Sequence, residues 1–230
     1  MKKIAILLPV MPQFSYSASL VESLNFLTAD FSLEFIDPLL MSQEENNKEY
    51  YQNWETWFRE RTYSFCAYIG FSFGGVILQQ IFPYLERLNK PVILFSTPTF
   101  ADEILQLKLS KVIDLCRQQK MAESLVCLYQ HAAFPKSVAD IVFSVENHEQ
   151  AQSRLMFGLQ KVLDTDSAHV LELTQLSYTH FIGAQSDLVN TANVKTGKYG
   201  DLQIVPHAGM RVLEDNLDFC KPIMLERLYG

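Results

Sequence analysis

One stretch indicates the fold most clearly: Cys66-Ala67-Tyr68-Ile69-Gly70-Phe71-Ser72-Phe73-Gly74-Gly75. An apolar run of strand type leads directly into Gly-x-Ser-x-Gly, and an amphipathic run over residues 76–82 follows. This order predicts a strand, a sharp turn with Ser72 at its apex, and a helix that begins near Gly74. Glycines on both sides of the turn remove the Cβ atoms that would clash in it. The alternative is a glycine-rich turn with an incidental serine, and the flanking pattern favours the first interpretation.

Ser72 is a candidate nucleophile because of these predicted surroundings. A turn of this kind projects the serine hydroxyl out of the sheet. The first N–H groups of the next helix, and the positive end of its dipole, face the place where negative charge develops during acyl transfer. The stretch therefore predicts covalent catalysis by a serine.

The composition limits the class of protein. The chain has 230 residues, of which 48% are hydrophobic, and we expect one α/β domain with a large core. No apolar run has the length of a membrane span. The net charge of −7 argues against nucleic acid as a general partner. Four cysteines without Cys-x-x-Cys spacing fit reduced thiols in a cytoplasmic protein better than a disulfide framework or a zinc site. We expect no metal and no organic cofactor.

The N-terminus admits two interpretations. Two lysines before the apolar residues 4–8 could begin a secretory signal, with residues 15–18 as a small-residue cleavage region. However, Pro9 and Pro12 interrupt the apolar stretch, and the same residues make a good buried first strand. We favour the strand.

Strand patterns alternate with helical patterns along the rest of the chain. The predicted strands are residues 3–8, 31–36, the run into Ser72, 91–95, 178–184 and 202–205. The predicted helical stretches are residues 18–27, 43–65, the run after Ser72, and most of 210–228. The alternation predicts the α/β class, with a mostly parallel sheet covered by helices on both faces. The aromatic residues of 43–65 have helical spacing, which favours core packing over a ligand cage.

Asp187 and His207 are the predicted partners of Ser72. Ligands and catalytic groups of a parallel sheet gather beyond the carboxyl ends of its strands, and each of these residues follows a late strand. We expect His207 to accept the serine proton and Asp187 to fix the imidazole tautomer. The competing residues lie within a strand, in the insertion, before the late strands, at the wrong strand end or in the closing helix: His131, His148, His169, His180, Asp201 and Asp215.

These segments resemble the α/β-hydrolase superfamily over nearly the whole chain. The resemblance rests on residues 70–75, on the turn 183–187, and on Pro206-His207-Ala208-Gly209 with Glu214 shortly after. The phenylalanine before the doubled glycine is similar to that of acyl-carrier-protein thioesterases and of pimeloyl-carrier methyl ester esterases. The resemblance implies one domain over residues 1–230, a lid at about residues 98–150, and a small acyl ester or thioester as substrate. The alternatives are a type II thioesterase, an acyltransferase, or a non-catalytic binding protein of the same fold.

The chain departs from the family in the loop after its first strand. Where the family often has His-Gly, this sequence has Pro9-Val10-Met11-Pro12. The prolines have no N–H, so only Val10 or Met11 could donate from this loop. Alignment on the loop favours Met11, which would share the oxyanion hole with Phe73. The altered loop also gives the non-catalytic alternative some weight.

The insertion between Thr97 and about Gln150 carries enough apolar residues for two amphipathic helices. Their apolar faces either pack on each other and on the sheet or line an acyl pocket. Four basic residues lie close together there with one acid, Asp114, among them: Lys108, Lys111, Arg117 and Lys120. This patch is either a solvated helix face or a docking site for an acidic partner, for which acyl carrier protein is the candidate.

Overall fold

The computed structural model of the chain describes residues 1–41, 46–138 and 143–230. Within these residues, six parallel strands form one sheet in the order β2-β1-β3-β4-β5-β6. The strands are β1 (Lys2–Leu7), β2 (Phe31–Ile36), β3 (Ala67–Phe71), β4 (Val92–Phe95), β5 (Tyr178–Gly183) and β6 (Gly200–Val205). The α-helices are α1 (Ala18–Ser23), α2 (Asn47–Arg59), α3 (Phe73–Gln80), α4 (Phe82–Leu88), α5 (Glu103–Arg117), α6 (Met121–Ala132), α7 (His148–Leu163), α8 (Ala168–Leu173), α9 (Val212–Asp215) and α10 (Leu217–Tyr229).

The parallel register brings the carboxyl ends of the strands to one edge of the sheet. Leu7 pairs with Gly70, and Phe71 pairs with Phe95. At the other side of the sheet, the last residue of β5 pairs with Val205, the last residue of β6. The loops after β1, β3, β4, β5 and β6 therefore open side by side, as expected for a parallel sheet.

Helices cover both faces of the sheet, which confirms the predicted architecture. On one face, Leu7, Tyr68 and Leu94 contribute to a buried cluster with residues of α2 to α8. On the other face, Ile69 and Phe95 contribute to a second cluster with residues of α1, α9 and α10. Since both faces are covered, the central strands β3 and β4 are buried along their whole length and consist almost entirely of apolar residues.

β1 confirms the strand that we favoured at the N-terminus, because it lies inside the sheet between β2 and β3. Ile4, Ala5, Ile6 and Leu7 are fully buried there. Over the described ranges, we find no helix with both the length and the apolar character needed to cross a bilayer.

The aromatic stripe of α2 packs into the core, as predicted. Tyr50, Trp54 and Phe58 are completely buried, and the rings of Phe58 and Tyr68 lie 5.6 Å apart. The predicted helix start at residue 43 lies outside the described residues. The helix ends at Arg59 and not at residue 65, because the chain continues in turns with Arg61 N donating to Phe58 O.

Three predicted helices are each divided in two, and two helices were missed. The predicted helix over residues 18–27 ends at Ser23 and is followed by a 3₁₀ turn over Asn25–Leu27. The run after Ser72 breaks between α3 and α4, where a proline follows Phe82 at the start of α4. The closing stretch breaks at Asn216, whose side chain accepts from Phe219 N and caps α10. The sequence patterns predicted neither α7 nor α8.

Because His180 is buried, we expect the stability of the protein to depend on pH. Its side chain is fully buried on β5, its Nε2 accepts from Thr97 N at 3.1 Å, and burial lowers its pKa to about 3. An unfolded chain binds a proton at this histidine below pH ~6.5, whereas the folded chain does not until about pH 3. The free energy of unfolding should therefore fall by up to about 1.4 kcal/mol per pH unit as the pH drops through this window.

Urea unfolding of the wild type, His180→Gln and His169→Gln at several pH values between 7 and 4 measures this term. His169 is exposed and serves as the control. We expect a shallower pH dependence for His180→Gln alone. Equal slopes for all three proteins would show that His180 does not carry the dependence.

Candidate active site

Ser72 lies at the apex of a strained turn between β3 and α3. Its backbone has φ 49° and ψ −114°, a left-handed conformation that costs a residue with a Cβ atom about 1–3 kcal/mol. The turn is fixed on both sides, because Ser72 N donates to Phe95 O at 2.9 Å and Val76 N donates to Ser72 O at 3.1 Å. The strand, sharp turn and helix that the sequence predicts are all present here.

The glycines around Ser72 are required by close packing. A Cβ atom on Gly74 would lie 2.4 Å from the Leu7 carbonyl oxygen, and one on Gly70 would lie 2.6 Å from Gly75 Cα. These contacts are with backbone atoms, which cannot move aside as a flexible side chain can. The start of α3 therefore lies directly against β1 and β3.

Gly74→Ala tests this packing. The added methyl group meets the backbone of Leu7, so we expect a loss of about 3 kcal/mol in the free energy of unfolding. Urea unfolding measures the loss. Gly230→Ala is the control: its Cβ would lie 2.9 Å from Glu226 O, but Gly230 is exposed after α10 and can shift, so stability should change by less than about 0.5 kcal/mol. Equal, small effects of both substitutions would contradict the packing that we describe.

Ser72 lies in the wall of a pocket of about 620 Å³ at the carboxyl edge of the sheet. One part of the wall is apolar and comes from α5, α6, α7 and the loop after β5: Leu105, Leu109, Leu128, Leu159, Val162, Leu188 and Val189. Another part carries polar side chains: Gln13, Tyr16, Tyr129, Ser144, Arg211 and Glu214. The pocket can therefore hold a ligand with both an apolar and a polar portion.

The two predicted oxyanion donors lie next to this pocket. Phe73 is the first residue of α3, so its N–H has no acceptor within the helix. Met11 is buried and lines the pocket. Within the described chain, the Met11 N–H donates to no backbone or side-chain acceptor.

The side chain of Asp187 forms ion pairs with side chains of α5 and α6, the two helices that follow β4. Its carboxylate oxygens lie 2.7 Å from Lys108 Nζ on α5 and 2.5 Å from His131 Nδ1 on α6. Burial would raise the pKa of Asp187, but the hydrogen bonds from Lys108 and His131 outweigh it and lower the pKa below its ordinary value. Asp187 is therefore an ionised carboxylate beside a histidine, and that histidine is His131.

His207 lies in the turn after β6 with its side chain exposed to solvent. Its φ is 58°, and bonds on either side hold the turn: Asn216 Nδ2 donates to Pro206 O, and Gln185 N donates to Ala208 O. Among the described residues, no hydrogen bond joins His207 to Ser72 or Asp187. The part of this loop that reaches the pocket begins three residues later, at Met210. The structure thus brings Ser72, Phe73 and Met11 together and leaves His207 outside.

The four basic residues predicted as a docking patch are mostly paired. Lys108 bonds Asp187 and has only 18% of its side chain exposed. Arg117 lies 2.9 Å from Asp114, and Lys120 lies 3.9 Å from Glu123. Lys111 is exposed and, in the part of the chain that the structure describes, has no acidic partner.

The pocket wall also contains an ion pair that was not predicted from the sequence. Arg211 Nε donates to Glu214 Oε1 at 3.0 Å, and its Nη2 also contacts Glu214 and donates to Ser19 Oγ at 2.9 Å. Burial lowers the pKa of Arg211, but the bond to Glu214 outweighs it and raises the pKa above its ordinary value. Tyr129 lies in the same wall, and burial raises its pKa. The i,i+3 spacing of an arginine and a glutamate was the available signal.

Comparison with known proteins gives a likeness in structure only. No family profile and no curated protein matches the sequence. An α/β-hydrolase enzyme from a Medee basin deep-sea metagenome library superimposes with a TM-score of 0.76 and 9% identity, over 100% of this chain and 90% of that one. A 2-hydroxy-6-oxo-6-phenylhexa-2,4-dienoate hydrolase from a Rhodococcus species gives a TM-score of 0.74 and 13% identity, over 100% of this chain and 91% of that one. A thermophilic esterase from Thermogutta terrifontis gives a TM-score of 0.65 and 12% identity, over 100% of this chain and 90% of that one.

These likenesses extend over the whole chain, including its six-stranded parallel sheet and the helices on both faces. The protein has the α/β-hydrolase fold.

Proposed function

We propose that the protein is a hydrolase that cleaves a carboxylic ester or thioester with Ser72 as its nucleophile. The observation that carries this proposal is the backbone strain at Ser72, in a turn whose serine lies in the wall of a pocket. Strain of this kind persists only where the surrounding structure imposes it, and it is concentrated at functional sites. The close glycine contacts are what impose it here.

The chemistry follows from these positions. Ser72 Oγ attacks the substrate carbonyl, the bond to the alcohol or thiol breaks, and water then cleaves the acyl-enzyme. The N–H groups of Phe73 and Met11 would stabilise the oxyanion, and loss of one such donor costs about a hundredfold or more in rate. We assign the proton transfers to His207, oriented by Asp187. This assignment requires the turn at residues 206–209 to open toward the pocket, and it requires Asp187 to exchange partners.

The pocket supports an acyl substrate. Its volume of about 620 Å³ is typical of small-molecule sites, and its apolar wall would hold an acyl chain. Helices α5 and α6 would then serve as the lid. A carrier-linked acyl group, such as a pimeloyl methyl ester on acyl carrier protein, is a narrower form of the proposal. Only Lys111 of the predicted docking patch supports it, because the other three cations are already paired.

A substrate panel tests the function and its narrower forms together. Nitrophenyl esters of increasing acyl length, acyl-CoA thioesters and acyl-carrier-protein esters are offered with water as the acceptor. We expect hydrolysis of nitrophenyl esters, with kcat/KM rising with acyl length. A preference for the carrier-linked ester that disappears at high salt would support docking through charge. Product that forms only with an added alcohol or thiol would indicate an acyltransferase.

A binding protein without catalysis is the second candidate, and the position of His207 favours it. His207 is exposed in a turn held by hydrogen bonds, so none of the described residues provides a base in contact with Ser72. Such a protein would bind an acyl compound in the same pocket, and binding would raise its Tm. A ligand that raises the Tm in a protein that releases no product from the whole panel would favour this candidate.

A further inference from the structure

The loop after β1, residues 9–13, is here called the β1 loop. Two of its residues, Pro9 and Pro12, have no N–H. Within the described residues, no backbone–backbone hydrogen bond involves residues 9–12. The loop nevertheless brings Met11 to the pocket wall as a buried residue. Other contacts must therefore hold it in place.

Arg154 on α7 supplies the most specific of these contacts. Its Nε donates to the Met11 carbonyl oxygen at 3.2 Å. Its two remaining nitrogens contact both carboxylate oxygens of Asp37, Nη2 to Oδ1 at 3.0 Å and Nη1 to Oδ2 at 2.9 Å. Asp37 directly follows β2, and its Oδ1 also accepts from Leu39 N. The guanidinium thus joins the β1 loop to the end of the neighbouring strand by a fork-shaped set of bonds.

Three further contacts, one at Val10 and two at Gln13, hold the β1 loop on either side of Met11. Gly158 lies one turn after Arg154 on α7, and a Cβ atom there would lie 2.6 Å from Val10 Cγ2. Gln13 Nε2 donates to Ser144 O at 3.3 Å, and its Oε1 accepts from Glu146 N at 3.1 Å. The loop therefore has support at residues 10, 11 and 13, and Arg154 is the only described side chain that bonds the Met11 main chain.

We propose that Arg154 is a positioning residue that fixes the main chain at Met11, through its carbonyl oxygen, so that the Met11 N–H can serve in the oxyanion hole. The proposal rests on the proposed function, because an oxyanion forms only if Ser72 attacks a carbonyl. The guanidinium bonds the Met11 carbonyl oxygen and leaves the Met11 N–H without a partner in the described chain. Asp37 in turn holds the guanidinium, whose side chain is only 19% exposed. In this chain, the bonds of Arg154 would thus hold the loop in which related sequences often have His-Gly.

The variants Arg154→Met and Arg154→Lys test this role on ester hydrolysis. Methionine removes the bond to Met11 O and the bonds to Asp37. Lysine keeps the charge beside Asp37 but cannot bond Met11 O and both carboxylate oxygens at once. A misplaced oxyanion donor acts in the transition state, so we expect kcat to fall about tenfold to a hundredfold while KM changes by less than about twofold. The affinity for an aryl boronic acid, which mimics the tetrahedral intermediate, should fall by a similar factor. Arg59→Met, which removes an ion pair with Glu55 on α2, is the control.

The possible outcomes separate this proposal from the proposed function. An unchanged kcat in Arg154→Met, or a change confined to KM, would overturn the role of Arg154 in an enzyme that is otherwise active. A wild type that hydrolyses nothing would overturn the proposed function itself, and with it this role. If Arg154→Met does not fold, Arg154→Lys decides. A lowered kcat with a Tm near that of the wild type supports the proposal, and wild-type kinetics refute it.

Discussion

Ser72→Ala is expected to lower the hydrolysis of a nitrophenyl ester by about 10⁴-fold or more, because the variant has no nucleophile at the apex of the turn. Steady-state kinetics against the wild type measure the loss. Ser96→Ala is a matched control: Ser96 also lines the pocket with a positive φ of 43°, but its Oγ is bonded to Met210 O at 2.7 Å. A comparable loss in both variants would mean that pocket shape, and not a nucleophile, sets the rate.

The strain at Ser72 gives the same prediction a second measurement. Ser72→Gly should be as inactive as Ser72→Ala, but its free energy of unfolding should be higher by about 1 kcal/mol. Glycine adopts a φ near 49° without the steric cost that alanine retains. Urea unfolding of the two variants tests this difference. Equal stabilities would limit the strain to about the 0.5–1 kcal/mol that the greater freedom of glycine costs through the unfolded chain, and a less stable Ser72→Gly would contradict the strain.

The second large effect concerns the histidine. If His207 transfers the serine proton, His207→Ala should lower kcat by about 10³-fold, and the double variant with Ser72→Ala should be little worse than either single variant. His131→Ala is the matched comparison, because the structure pairs Asp187 with His131. We expect a much smaller loss there, together with a change in how α6 is held.

The opposite result would change the assignment. A large loss in His131→Ala with normal kinetics in His207→Ala would transfer the proton-accepting role to α6, where the Nδ1 contact with Asp187 already exists. Normal kinetics in both variants would remove histidine from the mechanism. Asp187→Asn should be impaired in either case, since Asp187 orients whichever histidine acts.

The fold could be predicted because its decisive signals are local. The apolar run over residues 66–71 is typical of a buried strand and contains β3 (Ala67–Phe71), and Gly70, Gly74 and Gly75 permit the sharp turn that follows. The aromatic spacing of α2 likewise fixed which side of that helix is buried. Helix α7 was missed although Ala151, Leu155 and Leu159 are buried at four-residue spacing. The insertion was predicted to end at about Gln150, and no element was predicted between it and the strand that begins at Tyr178.

The partners of the candidate site depend on contacts that no local pattern encodes. Asp187 meets Lys108 across 79 residues and His131 across 56 residues. The sequence pattern predicted that Asp187 follows a strand, and the end of β5 at Gly183 confirms that position. The pattern could not predict which side chains contact Asp187 in the folded chain. Similarly, the loop after β6 was correctly located, yet its turn directs Met210 to the pocket and leaves His207 in solvent.

The most direct test of the central claim, that Ser72 is a nucleophile, is covalent labelling of the folded wild type with a fluorophosphonate. The intact mass should rise by one adduct, and peptide mapping should place the adduct on Ser72. The variant Ser72→Ala should stay unlabelled under the same conditions. A wild type that acquires no adduct, or an adduct on another residue that persists in Ser72→Ala, would contradict the claim.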